Sequence, residues 1–173
     1  VPGGLDHILF VVGLLAYSLL ARGLILQISL FTVAHTLTLA AASLGWIKLS
    51  GSVVEPLIAL SIAWIGIENV IRKSGRLAVS RSVIVFTFGL LHGLGFASVL
   101  SDFGLPQNSF IISLLSFNVG VEIGQLLIVV PIFFILKALK LTKTQFRRVF
   151  QIPVSLIISA VGTFWFIERI SLL

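Results

Sequence analysis

Apolar runs of membrane-spanning length occupy most of this 173-residue chain, and they leave few folds open to it. Six can be marked, at residues 5–21, 24–46, 53–71, 82–100, 109–139 and 149–170. A helix needs ~20 apolar residues to cross ~30 Å of hydrocarbon. Barrel strands would be ~10 residues long with strict alternation, a pattern these runs lack. The chain is therefore predicted to be all-α, a single transmembrane domain over residues 1–173, formed by a bundle of six helices. The fifth run is long enough to tilt, and Pro131 is placed to kink it.

Composition agrees. The chain is 58% hydrophobic and 10% charged, where a soluble domain carries about 25% charged residues. A net charge of +6 would by itself suit nucleic acid. That partner is excluded by where the charges lie, since no basic face with interleaved aromatics exists. Arg72, Lys73, Arg76 and Arg81 sit between the third and fourth runs. Lys137, Lys140, Lys143, Arg147 and Arg148 sit between the fifth and sixth. The positive-inside rule places these basic segments, 72–81 and 137–148, in the cytoplasm, and six spans then put both termini outside. Cysteine and methionine are absent. That removes disulfides and the soft sulfur ligands of Cu(I) and Fe–S clusters. With no initiator methionine, a processed or trimmed chain is expected.

Against this apolar background six ionisable side chains stand out. His35, Glu68, His92 and Glu122 lie deep in the runs, and His7 follows Asp6 at the head of the first. Each such group costs roughly 2.5–3.5 kcal/mol on insertion scales, so a chain that keeps them is expected to use them. Imidazole and carboxylate are metal ligands and proton carriers.

Spacing organises them. Thr32, His35 and Thr38 share a helix face, as do Asn118, Glu122 and Gln125, and as do Ser61 and Glu68, with Asn69 adjacent. Gly89, Gly93 and Gly95 flank His92, allowing a close helix neighbour or room for an ion. Runs two and three also resemble runs four and five: His35-Thr-Leu-Thr-Leu-Ala40 aligns with His92-Gly-Leu-Gly-Phe-Ala97, and Ile65-Gly-Ile-Glu68 with Val119-Gly-Val-Glu122. This would be a parallel repeat about an axis along the membrane normal.

Structural roles compete with the functional ones. A histidine can serve as interhelical glue, and a buried carboxyl can stay protonated. Glu68 can pair with Arg72 one turn on, and Asp6 can cap the first helix. Asp6 and His7, being adjacent, reach one ion only at an irregular helix end, which Gly3-Gly4 favours. No G-x-S-x-G elbow or H-E-x-x-H pair is present.

The segments GLDHILFVVGLL, FTVAHTLTLA, EPLIALSIAWIGIEN, FGLLHGLGFA and FNVGVEIGQ together resemble the HupE/UreJ family of small bacterial membrane proteins. The resemblance implies a permease of the bacterial inner membrane for a transition metal, nickel or cobalt. By it, Asp6 and His7 match the family's Asp-His motif, and His35, Glu68, His92 and Glu122 its other intramembrane polar positions. Family members tend to carry a further histidine a few residues before that motif, ahead of where this sequence begins.

The expected function follows. Asp6 and His7 would capture Ni²⁺ or Co²⁺ at the outer face, and His35, Glu68, His92 and Glu122 would hold it within the bundle. Thr38, Asn69, Asn118 and Gln125 would orient these ligands. The same donors suit Zn, Fe or Mn. Such ligands bind only when deprotonated, so transport should weaken in acid. No cofactor is expected, and the partners are the metal, the lipid bilayer and, optionally, further copies of the chain. Two other readings remain open: a membrane-embedded zinc hydrolase acting on lipid, and a channel for a small neutral solute.

Overall fold

The computed structural model describes residues 4–17, 20–71, 79–102 and 110–172. They form six helices: α1 (Leu5–Tyr17), α2 (Ala21–Ser43), α3 (Gly51–Ile71), α4 (Val79–Asp102), α5 (Phe110–Ala138) and α6 (Lys143–Ser171). No strand occurs among the described residues. The all-α expectation holds. Four helices are long and apolar enough to cross a membrane alone: α2, α3, the stretch Ile112–Ala138 of α5, and α6. The described apolar part of α4, Arg81–Phe96, is shorter. So is α1, whose 13 described residues reach about 20 Å.

Helix α6 opens with a capping box between Thr142 and Gln145 and then widens into a π-helical turn over Arg147–Gln151. Its cause is local. Pro153 has no N–H to give to the carbonyl four residues back. The ladder slips by one residue just before it, and Ile152 N–H bonds to Arg147 O.

Glycines set the packing. A Cβ on Gly89 would lie 2.6 Å from Phe31 O, and one on Gly93 would strike Thr38 Oγ1 and His35 O, so α2 and α4 meet at backbone contact. Thr38 crosses that seam and donates to Leu90 O at 2.7 Å. The paired positions, 27 with 81, 31 with 89 and 35 with 93, rise together, so α2 and α4 run parallel. Close approach through small residues is how helices associate where lipid removes the hydrophobic drive. On the other side α3 and α6 run antiparallel: a Cβ on Gly66 would meet Ser155 O and one on Gly162 would meet Ala63 N. Arg169 closes the end of that pair on Glu55, at 3.6 Å.

Helix α1 fills the space between these pairs, with Phe10, Leu14 and Leu15 packed on Phe31, Ile62, Ile65 and Ile158. By contrast α5 buries little beyond Leu114, Asn118, Gln125, Val129 and Leu136. Its Leu127, Phe134 and Ile135 face outward, as do Ile25, Val33 and Leu37 of α2 and Ile157 and Phe164 of α6. In water this would be an extended apolar patch; in a bilayer it is the required surface.

The proposed internal repeat is therefore uneven. α2 and α4 are parallel neighbours carrying their histidines at matched height, whereas α3 is central and α5 peripheral.

Candidate metal site

His35 and His92 sit mid-helix on the parallel pair, and His7 sits on the third residue of α1. Because α1 starts halfway along its neighbours, its first turn is inside the bundle. His7 is 3% exposed, His35 2% and His92 0%. The His7 ring lies 5.0 Å from that of His35 and 4.9 Å from that of His92, centroid to centroid, edge to face in both cases. Gly4, at φ +76°, supplies the irregular start that sequence suggested. There His7 Nδ1 reaches back to Asp6 Oδ1 at 3.2 Å, and the same oxygen accepts the His7 backbone N–H at 2.9 Å. Asp6 thus takes a first-turn backbone N–H and orients the imidazole.

A hydrogen bond anchors one nitrogen of each ring. His7 Nδ1–H donates to the Asp6 carboxylate, leaving Nε2 bare. Asn118 Nδ2 donates to Leu114 O, so its Oδ1 must accept; it takes Thr36 Oγ1–H at 3.0 Å and His35 Nδ1–H at 3.3 Å. His35 Nε2 is left bare. Ser61 Oγ–H donates to Ile58 O at 2.7 Å and therefore accepts from His92 Nε2–H at 2.9 Å. That leaves His92 Nδ1. Each of the three remaining ring nitrogens is buried and without a hydrogen-bond partner. A buried lone pair with no donor is a costly vacancy, and this arrangement, with one nitrogen anchored and the other open, is how proteins prepare histidine for a metal.

Among the described residues one group of ligand-type side chains lies close enough to share an ion: Asp6, His7 and His92, whose potential ligand atoms fall within 4.8 Å of one another. His35 borders it through His7. Aromatic rings surround the group: Phe96 lies 4.8 Å from His7, Phe10 5.0 Å from His92, and Phe31 5.2 Å from His92. With the histidines 3% exposed or less, charge interactions among them are weakly screened.

The other residues singled out by sequence are placed differently. Asn118 does hold His35. Thr38 belongs to the α2–α4 seam, its hydroxyl bonded to backbone carbonyls. Asn69 donates to Gly13 O at 2.7 Å, locking α3 to α1. Gln125 is buried with both amide atoms unpartnered, and Glu122, one turn beyond Asn118, is half-buried. Glu68 is apart from the histidines, its carboxylate paired with Arg81 Nη1. The anticipated partner Arg72 lies outside the described residues. Arg81 itself was expected in a solvated basic segment. Instead it is 0% exposed within α4, because Glu68, Gln27 and Tyr17 supply its partners. Arg81 Nε donates to Gln27 Oε1 at 2.8 Å, and its guanidinium carbon lies 3.8 Å from the Tyr17 ring centre. Residues 72–78 are outside the described set.

Sequence reasoning did not find Ser61 as the anchor of His92, Thr36 as the support of Asn118, or Gln27 and Tyr17 at all. A hydroxyl on the histidine-facing side of α3 was a usable signal for Ser61. Gln27, a lone amide in the inner half of an apolar run, was one for the Arg81 contact.

The family model for HupE / UreJ protein matches residues 1–169. The chain belongs to the HupE/UreJ family. It is a membrane protein of a family tied to nickel and cobalt transport, a family not known for enzymes. No curated protein sequence and no solved structure matches it.

Proposed function

We propose that the chain is a permease for a divalent transition-metal cation, Ni²⁺ or Co²⁺, held in transit by His7 and His92 with Asp6, and with His35 at their side. The observation that carries this is the set of three buried imidazoles, each with one nitrogen anchored and the other bare. Imidazole nitrogens and a carboxylate together suit a borderline divalent ion. The carboxylate offsets part of the ion's charge where solvent cannot. The cargo moves downhill or with a coupled ion, with the two basic segments on the cytoplasmic side.

The lipid-hydrolase reading would need an open coordination position facing substrate; the aromatic ring around the histidines favours holding an ion over exposing it. The test is metal content of the purified protein and metal uptake by vesicles, wild type against His7→Ala and His92→Ala. Loss of both quantities in both variants is expected. Unchanged uptake would remove the three-histidine site from transport.

A further inference from the structure

The Arg81 guanidinium occupies a built cage. Glu68 of α3 offers a carboxylate, Gln27 of α2 an amide oxygen, and Tyr17 of α1 an aromatic face. Gln27 Nε2 donates to Gly23 O at 3.1 Å, so its oxygen is fixed toward Arg81. All four residues are 5% exposed or less. Carboxylate, amide oxygen and ring face together attract a cation of any kind. A buried ion pair is weak evidence of a stabilising role, because apolar replacements of equal size are often as stable. Its retention therefore asks for another reason.

The position gives one. The helices α1 to α4 that carry the cage also carry His7, His35, Ser61 and His92. From Ser61 to Glu68 is seven residues of α3 and from His35 to Gln27 eight of α2, about 10–12 Å along the bundle. Between the two levels lie Phe10, Leu14, Phe31 and Ile65. Along the bundle axis the cage is the next polar level after the histidines.

We propose that this cage is a second cation station for the transported metal, and that Arg81 is its resident occupant. The tethered guanidinium neutralises Glu68 while the station is empty of metal and yields the carboxylate when the ion arrives. The inference rests on the transport reading above, and its failure is separable from that reading.

The test counts bound Ni²⁺ on the purified protein in detergent by equilibrium dialysis and elemental analysis. Wild type should bind one equivalent, through the histidines. Arg81→Ala should bind a second, and Arg81→Ala/Glu68→Gln should return to one. A folded Arg81→Ala protein that gains no Glu68-dependent equivalent overturns the proposal. Should Arg81→Ala fail to fold, Arg81→Gln/Glu68→Gln removes both charges and decides the matter in proteoliposomes. Retained histidine-site binding with uptake reduced about tenfold or more, the scale of a lost metal-site partner, supports a station at Glu68; a smaller reduction overturns it. Loss of the first equivalent alone, as in His92→Ala, bears only on the histidine site.

Discussion

The bundle holds two polar levels made by the same four helices, and they are opposite in kind. At the histidine level each imidazole has one anchored nitrogen and one bare nitrogen. At the Arg81 level a cation already fills the space between its acceptors. The first is built to receive a charge; the second contains one. Prepared sites and filled sites differ in what substitution does to them. A prepared site loses affinity when altered and little stability, because it stores unsatisfied capacity. A filled site loses stability first, because a partner is stranded.

Substitutions should separate the two. The largest effect is expected for His7→Ala and His92→Ala, which should lower Ni²⁺ affinity beyond the ~100-fold upper range for supporting residues, since they remove ligands; calorimetric titration in detergent measures it. Retained affinity would erase the distinction between the levels. Next comes Glu68→Ala, which strands a buried guanidinium. Breaking such a pair costs about 3–5 kcal/mol, whereas the paired replacement Glu68→Leu/Arg81→Met should be close to neutral. Thermal unfolding of the three proteins checks this asymmetry. Below that stand the anchors. Ser61→Ala and Asn118→Leu release the rings of His92 and His35 and should each weaken metal binding about tenfold with little change in melting. The smallest effect is Thr38→Val, which removes one bond across the α2–α4 seam and should cost about 1 kcal/mol of stability.

Much of this architecture was legible in the chain. Apolar length alone gives helices rather than strands, and the cost of charge in hydrocarbon points to the histidines. What could not be read is which face each polar residue presents to which neighbour. Thr38 and His35 lie three residues apart on one helix, yet one bonds a backbone carbonyl and the other an amide on α5. Arg81 stands next to basic neighbours in sequence, but its partners come from three other helices. Likewise hydropathy could not show that His7, at the head of an apolar run, lies inside the bundle. Glu68 and Glu122 align in sequence but occupy unlike positions, because α3 is gripped by α6 and α5 has no such partner.

The glycine seam has a consequence for the geometry of the histidines. With α2 and α4 locked backbone to backbone, His35 and His92 form a bracket of fixed width. His7 closes that bracket from α1, whose place is set separately, by the Asn69 bond to Gly13 O and by Phe10, Leu14 and Leu15 in the core. A change in those α1 contacts would move one imidazole against two that stay where they are.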